Sequence, residues 1–205
     1  SISYSLTLSQ NVNTVANSDF ANAGTATGCV FSISAASGTT FTLTISSCSE
    51  GTLIPKLLAN SVYGTVTSAT GPASDALTTT PITIDRTAPT ISSVTAPGNS
   101  TYIPGNTMSF TVAFTESITV TGSPRFTLTV GTLTKYATYA MMSDSKTALF
   151  RYTVGTNASE VDTDGIAFTN SNMDLNSGSI SDLASTTLSV LSFTPPTTTG
   201  IVIAQ

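Results

Sequence analysis

The sequence contains no histidine and no tryptophan, and charged residues are scarce. Only 8% of its 205 residues are Asp, Glu, Lys or Arg, against roughly 25% in an ordinary soluble domain. Without histidine, nucleophilic systems of the Ser-His-Asp and Cys-His types are excluded, and so are histidine-ligated zinc sites. Without tryptophan, few residues remain to form an aromatic platform for a sugar substrate. We therefore expect a protein that is not an enzyme.

Basic residues are the rarest charged group. Six Lys and Arg stand against eleven Asp and Glu, which gives a net charge of −5, and residues 152–205 contain no basic residue. Nucleic acids and anionic membranes bind basic surfaces, so we expect neither as a partner. No apolar run approaches the roughly 20 residues that cross a bilayer, and no membrane insertion is expected. The chain begins inside a strand pattern without a signal peptide, which predicts a fragment of a longer polypeptide.

The residues that are abundant favour strands and turns, and one strand pattern occurs twice. Residues 1–12, SISYSLTLSQNV, recur as residues 107–118, TMSFTVAFTESI. Both copies alternate apolar and polar side chains, which is the period of a half-buried strand. Further along the chain, residues 41–45 match 150–154, and 82–84 match 201–203. The repeat predicts an all-β chain of two consecutive modules: residues 1–86, whose first strand we expect to be missing from the fragment, and a larger module at 90–205.

The two cysteines flank a predicted hairpin in which Phe31 faces Ile45. This register places Cys29 opposite Ser47, one residue short of Cys48. Because a one-residue shift turns a side chain to the other face of a sheet, a bond between the cysteines requires a bulge or a strand exit near Ser47. We predict a Cys29–Cys48 disulfide, with two separate buried thiols as the alternative. Such a bond is typical of secreted proteins.

A short linker joins the two predicted modules. It consists of Asp85, Arg86, Thr87, Ala88 and Pro89. Proline restricts the residue before it to an extended conformation and cannot continue a helix. A short, stiff connection limits how far two domains swing, as expected in a rod.

Carboxylates are concentrated in the second module. Five lie within a stretch that has no basic residue: Glu160, Asp162, Asp164, Asp174 and Asp182. Oxygen ligands of this kind bind Ca²⁺, and the candidate ligands are Asp162, Asp164, Asp182 and Glu116. The spacing is not that of an EF-hand, because position twelve counted from Asp162 is Met173 rather than Glu. The alternative is a solvated acidic loop, so Ca²⁺ is a candidate ligand and no cofactor is required.

Two short motifs in the second module carry a resemblance to a known family. Residues 114–116, Phe-Thr-Glu, follow a strand, and residues 180–184 read Ile-Ser-Asp-Leu-Ala. The chain resembles the immunoglobulin-like repeats of large bacterial surface and secreted adhesins, although the family continues with Gly-Asn where this chain has Ser185 and Thr186. The first module, ending in TITIDRTAPTI, is similar to a shorter repeat of this type. The resemblance implies two Ig-like antiparallel β-sandwich domains whose partners are neighbouring repeats of the same extracellular polypeptide.

The function implied by the resemblance is structural. We expect a non-enzymatic segment of a bacterial surface or fibre protein that spaces or presents an adhesive region for attachment to cells. One alternative is a tip module that recognises a glycan or protein on a target cell. Another is an accessory domain of a secreted glycosidase. A tip module predicts an exposed aromatic or acidic cluster within residues 155–198, which have no counterpart in the first module.

Overall fold

The chain folds into β-strands joined by turns, and the all-β prediction is confirmed. The computed structural model describes residues 1–35, 37–66, 70–78 and 80–205. In these residues the helical elements are two 3-10 turns, Asn17–Asp19 and Ala158–Glu160. No helix in the described ranges has the length and apolar character needed to span a membrane.

The chain divides into two compact units. They comprise Ser1–Thr87 and Ala88–Gln205, so the division falls inside the predicted linker. Each unit has a separate cluster of buried apolar side chains, which includes Phe41 in the first unit and Phe150 in the second.

The first unit is built from short strands around one longer ladder. Its strands are Ile2–Val12 (β1), Phe20–Asn22 (β2), Val30–Ile33 (β3), Gly38–Ser46 (β4), Gly51–Leu53 (β5), Pro55–Leu57 (β6), Val62–Tyr63 (β7), Thr70–Gly71 (β8), Ala76–Leu77 (β9) and Ile82–Ile84 (β10). They pair in the orders β1-β4-β3 and β2-β6-β9, with β5 against β10 and β7 against β8.

The predicted hairpin is present with the predicted register. Strand β3 pairs antiparallel with β4, and Phe31 lies opposite Ile45 while Ile33 lies opposite Leu43. Strand β1 pairs with the other edge of β4, where Leu6 lies opposite Phe41. The apolar side chains of β4 are buried in the core of the unit, because alternate residues of a strand share one face.

The second unit contains a larger sheet and two smaller ladders. Its strands are Ile91–Thr95 (β11), Ser100–Tyr102 (β12), Thr107–Phe114 (β13), Ile118–Thr121 (β14), Arg125–Val130 (β15), Leu133–Asp144 (β16), Thr147–Thr153 (β17), Ala167–Phe168 (β18), Ser179–Asp182 (β19) and Ile201–Ile203 (β20). The sheet has the order β11-β13-β17-β16-β15-β18, and β12 pairs with β20 while β14 pairs with β19.

Aromatic side chains form the centre of the second core. The ring of Phe126 lies 4.9 Å from that of Phe150, 5.5 Å from that of Phe168 and 4.8 Å from that of Phe193. These side chains come from the large sheet and from the long segment that follows it. The core therefore fixes the course of residues 155–198, which carry three of the four candidate Ca²⁺ ligands.

The repeated strand occupies equivalent positions in the two units. Tyr4 on β1 lies opposite Leu43 on β4, and Phe110 on β13 lies opposite Phe150 on β17. Because Tyr4 and Phe110 are equivalent in the repeat, Leu43 is the counterpart of Phe150. The predicted match between 41–45 and 150–154 is therefore wrong by two residues, although a shift of two keeps each side chain on the same face.

The closing strands of the two units differ in their partners. Strand β10 pairs antiparallel with β5, whereas β20 pairs in parallel with β12. Residues 82–84 and 201–203 thus match in sequence pattern, as predicted, but the strands that they form are paired differently.

Candidate functional site

A disulfide closes the open end of the hairpin in the first unit. Cys29 and Cys48 are joined with an S–S distance of 2.05 Å, in agreement with the predicted pair. Strand β4 ends at Ser46, and Ser47 adopts a φ of 58°. This left-handed residue provides the expected strand exit. The position opposite Cys29 is Ser47, and the turn of the backbone at Ser47 allows the next residue, Cys48, to bond to Cys29. The bond indicates an oxidising environment.

Side-chain hydrogen bonds hold the beginning of the predicted linker to the first unit. Arg86 Nε donates to the carbonyl oxygen of Cys48 at 2.9 Å. Thr87 Oγ1 donates to Glu50 Oε2 at 2.8 Å, and the Thr87 N–H donates to Asp85 Oδ1 at 3.0 Å. The first three linker residues are thus fixed to the first unit, and the other two belong to the second unit.

Glu160 is a buried carboxylate at the centre of a polar network in the second unit. It ends a 3-10 turn and is 1% exposed. Its Oε1 lies 2.6 Å from Lys135 Nζ, and its Oε2 accepts hydrogen bonds from the Tyr152 hydroxyl and from the Gly155 N–H. Sequence reasoning missed this network, because no local pattern indicates that Lys135 and Glu160, which are 25 positions apart, come into contact.

The network sets the protonation states of its members. Burial raises the pKa of Glu160, but the hydrogen bonds from Lys135, Tyr152 and Gly155 outweigh burial and hold the pKa below its ordinary value. Burial and the neighbouring Glu160 carboxylate raise the pKa of the Tyr152 hydroxyl. Glu160 is therefore a charged, fully engaged structural residue and is not poised for proton transfer.

Asp162 and Asp164 lie close in sequence but in different environments. Asp162 is buried, and its two carboxylate oxygens accept hydrogen bonds from the Gly131 and Gly165 N–H groups at 2.8 and 2.9 Å. Its backbone also pairs with Ile203 on β20. Asp162 therefore holds its loop against the β15–β16 turn and the closing strand, while Asp164 is exposed.

Asp174 belongs to a surface cluster with Arg125 and Tyr136. Arg125 Nε lies 2.7 Å from Asp174 Oδ2, and the guanidinium carbon lies 4.0 Å from the centre of the Tyr136 ring. The hydrogen bond from Arg125 and that from the Asn176 N–H lower the pKa of Asp174. Tyr136 is 41% exposed, so this cluster presents an aromatic ring and a guanidinium group to solvent.

Glu116 and Asp182 meet at one end of the β14–β19 ladder. Ile118, the first residue of β14, lies opposite Asp182, the last residue of β19. Carboxylate oxygens of Glu116 and Asp182 lie within 4.8 Å of each other. The structure thus brings together two of the four predicted Ca²⁺ ligands, whereas Asp162 and Asp164 lie outside this pair.

The second unit also has an open groove beside its edge strand. The cavity of about 540 Å³ lies between residues 91–94 of β11 and residues 192–196. The described residues that line it are apolar or carry hydroxyl groups. They offer contact area but none of the carboxylate, imidazole or thiolate groups used in general acid–base or nucleophilic catalysis.

No protein-family model, curated protein or solved structure matches this chain. The assignment of a function to this chain therefore depends on its own residues and their arrangement.

Proposed function

We propose that the chain is a non-enzymatic, extracellular segment of a bacterial surface or fibre protein. Its two units are Ig-like antiparallel β-sandwich domains, and they space or present an adhesive region for attachment to other cells or to a host. The proposal is supported chiefly by the recurrence of one strand pair, β1–β4 in the first unit and β13–β17 in the second. Modules that repeat along a chain are typical of proteins that provide length.

The separate cores support a mechanical role. Each unit buries its own apolar cluster, so each has the interior that an independent domain requires. The neighbouring repeats of the same polypeptide are the partners that we propose. The disulfide and the small number of charged side chains fit an extracellular setting.

The contacts of residues 155–198 favour a spacer over a binding tip. Phe168 and Phe193, the aromatic residues of this stretch, pack into the core. Glu160 and Asp162 are buried and hydrogen-bonded within the unit, and Asp174 is paired with Arg125. This stretch therefore lacks, in its described contacts, the exposed aromatic or acidic cluster that a tip module predicts.

Single-molecule extension tests the proposed role. The full chain is placed between marker domains of known mechanical behaviour and pulled from its ends. We expect two unfolding steps, because each unit has its own core. An extended chain spans about 0.36 nm per residue. Unfolding of the second unit should therefore add about 42 nm of contour length, and unfolding of the first unit should add about 24 nm while its disulfide is intact.

Reduction of the disulfide provides an internal control. The bond withholds the segment between Cys29 and Cys48, which have a sequence separation of 19, so reduction should lengthen the first step by about 7 nm and leave the second unchanged. A Cys29→Ser, Cys48→Ser variant should show the longer step without reductant. One merged step, or unfolding without measurable resistance, would contradict a role as a load-bearing spacer.

One observation favours the alternative of a ligand-binding module. The exposed Tyr136 ring, held against Arg125, offers the kind of amphipathic contact that proteins use in recognition. Binding of the chain to immobilised glycans or to cells, lost in Tyr136→Ala and retained in Tyr63→Ala, would support this alternative. Tyr63 is a suitable control because it is also exposed.

A further inference from the structure

Strand β1 has a free edge, whereas its counterpart in the second unit is paired on both sides. Strand β13 lies between β11 and β17, but residues 2–7 of β1 pair with β4 alone among the residues that the structure describes. Thr42 of β4, which lies opposite Ser5, exchanges hydrogen bonds with Ser34 at the end of β3. Because alternate residues of an antiparallel strand bond to opposite neighbours, the N–H and C=O groups of Ser5 and Thr7 point away from β4.

This free edge lacks the features that usually keep an exposed strand from pairing. Natural edge strands are protected by their shortness, by charged side chains or by proline. Strand β1 spans 11 residues, and residues 1–8 contain neither a charged side chain nor a proline. The pairing with β4 is regular as far as Thr7, so no bulge turns this part of the edge away. Residues 2–7 are therefore open to pairing with a further strand.

The apolar face of β1 is also incompletely covered. Its inward side chains at positions 4, 6 and 8 are half-buried, whereas their counterparts in the second unit are at most 3% exposed, namely Phe110, Val112 and Phe114. Two adjoining cavities, of about 180 and 350 Å³, lie along β1 and share Leu6, Leu57 and Ala76 as lining residues. In the smaller cavity, the hydroxyl oxygens of Tyr4 and Thr78 are buried without a hydrogen-bond partner among the described residues. Buried hydroxyl groups usually have a partner, so this groove is incomplete without a further segment.

The second unit shows what kind of segment covers the equivalent position. Strand β11 pairs antiparallel with β13, where the buried Val94 lies opposite Val112. Val112 corresponds to Leu6 in the repeat, so a strand of this kind in the first unit would lie across residues 5–8, beside the larger cavity. Residues 90–98, which contain β11, carry no charge, and the edge that such a strand would meet is uncharged as well. Strand β11 begins soon after the predicted linker, so the segment that connects two units is the one that covers this edge.

We propose that the free edge of β1 is the docking site for an extended, uncharged segment of the same polypeptide that connects the first unit to a neighbouring repeat. The segment pairs antiparallel with residues 5–8 and places an apolar side chain beside Leu6. Backbone hydrogen bonds to Ser5 and Thr7 provide affinity, and the side chain in the groove provides specificity, as in other cases of strand addition to a sheet. The inference rests on the proposed function, because it takes the occupant from the connection to a neighbouring repeat.

The test adds such a segment to the full chain. A second copy of residues 88–106 is fused before Ser1, which keeps the natural spacing because Thr107 is the counterpart of Ser1 in the repeat. Calorimetry and amide hydrogen exchange then compare the fused chain with the parent. In one control, the copy of Val94 in the fused segment is replaced by Asp. In the other, Ser5→Pro removes an outward N–H group from the fused chain, a change that the edge of a sheet tolerates.

We expect the fused segment to raise the Tm of the first unit and to leave that of the second unit unchanged. Burial of one valine side chain is sufficient for about a tenfold increase in the folding equilibrium constant. For a domain of about 60–100 residues, this increase corresponds to a rise in Tm of about 5–11 °C. The amides of Ser5 and Thr7 should exchange at least about tenfold more slowly in the fused chain, while that of Leu6, which faces β4, is protected in both chains. Both controls should lose most of the rise in Tm.

Three results would overturn the proposal. The first is a fused segment that neither raises the Tm of the first unit nor protects the amides of Ser5 and Thr7. The second is an equal rise in Tm with the segment that carries Asp in place of Val94. The third is a parent chain that sediments as a dimer and that Ser5→Pro converts to a monomer, because a second copy of the chain then occupies the edge.

These measurements are separate from the pulling experiment. Two resisted unfolding steps together with a β1 edge that takes up no strand would contradict this inference alone. Uptake of the segment by a unit that unfolds without resistance would contradict only the role as a load-bearing spacer.

Discussion

Replacement of Glu160 by Gln should destabilise the second unit and leave the first unit unchanged. The substitution keeps the shape of the side chain, and an amide oxygen remains to accept hydrogen bonds from the Tyr152 hydroxyl and the Gly155 N–H. It removes the negative charge that lies 2.6 Å from Lys135 Nζ. The variant therefore isolates the contribution of the buried charge from that of packing.

The magnitude follows from the exposure of the two partners. Removal of one member of a buried ion pair costs about 3–5 kcal/mol. Glu160 is buried, but the Lys135 side chain is 28% exposed and can recover part of its hydration, so we expect about 2–3 kcal/mol. At about 2.1 cal/mol/K per residue, the unfolding entropy of residues 88–205 is about 0.25 kcal/mol/K, and the Tm should fall by about 8–12 °C.

Differential scanning calorimetry of the full chain measures this shift. Asp164→Asn removes an exposed charge from the same stretch and should change stability by at most about 0.5 kcal/mol. A double variant that combines Glu160→Gln with Lys135→Met reports whether the two side chains are coupled. The reasoning would be refuted by a fall of less than about 2 °C in Glu160→Gln, or by an equal fall in Asp164→Asn.

Three further predictions concern the disulfide, the glycines and pH. Native protein should show no free thiol on titration, and reduction of the Cys29–Cys48 bond should lower the stability of the first unit by about 3 kcal/mol, measured by denaturant unfolding. Gly165→Ala should destabilise the second unit far more than Gly105→Ala, measured in the same way. Both have positive φ, but a Cβ at Gly165 would lie 2.6 Å from a backbone carbonyl oxygen, while one at Gly105 meets nothing within 4 Å. Because the folded-state pKa of Glu160 is lowered, its stabilising contribution is present above its unfolded pKa of about 4.3 and lost as pH falls through the folded value. Thermal scans should show the second unit losing stability at acid pH, with a smaller loss in Glu160→Gln.

Local periodicity was sufficient to predict the hairpin of the first unit. A one-residue slip would have placed the apolar side chains of β3 and β4 on the solvent face, so the opposition of Phe31 and Ile45 follows from the pattern alone. The same register left Cys48 one residue out of place. That mismatch required an irregular backbone, which the structure supplies at Ser47.

The alignment of β4 with β17 shows where periodicity fails. A shift of two residues preserves the face of every side chain, so the sequence pattern cannot distinguish Phe41 from Leu43 as the counterpart of Phe150. Only the pairing with the repeated strand decides between them. The face on which a side chain lies is thus easier to predict from the sequence than the exact alignment of two strands.

The carboxylates show a second limit of sequence reasoning. Asp162, Asp164 and Asp182 are close along the chain, but hydrogen bonds formed by the tertiary structure assign Asp162 to a loop. Glu116 is distant in sequence and reaches Asp182 only because β14 pairs with β19. The buried pair of Glu160 and Lys135 likewise connects two elements whose contact no local pattern encodes.

Calorimetry of two core variants tests most directly whether the chain consists of two units with separate interiors. Phe41 and Phe150 are each at most 1% exposed, in the first and second cores respectively, and truncation of such a side chain to Ala costs about 3–5 kcal/mol. We expect two thermal transitions. Phe41→Ala should lower the midpoint temperature of only one of them, and Phe150→Ala should lower that of only the other. A single transition that both variants lower equally would contradict it.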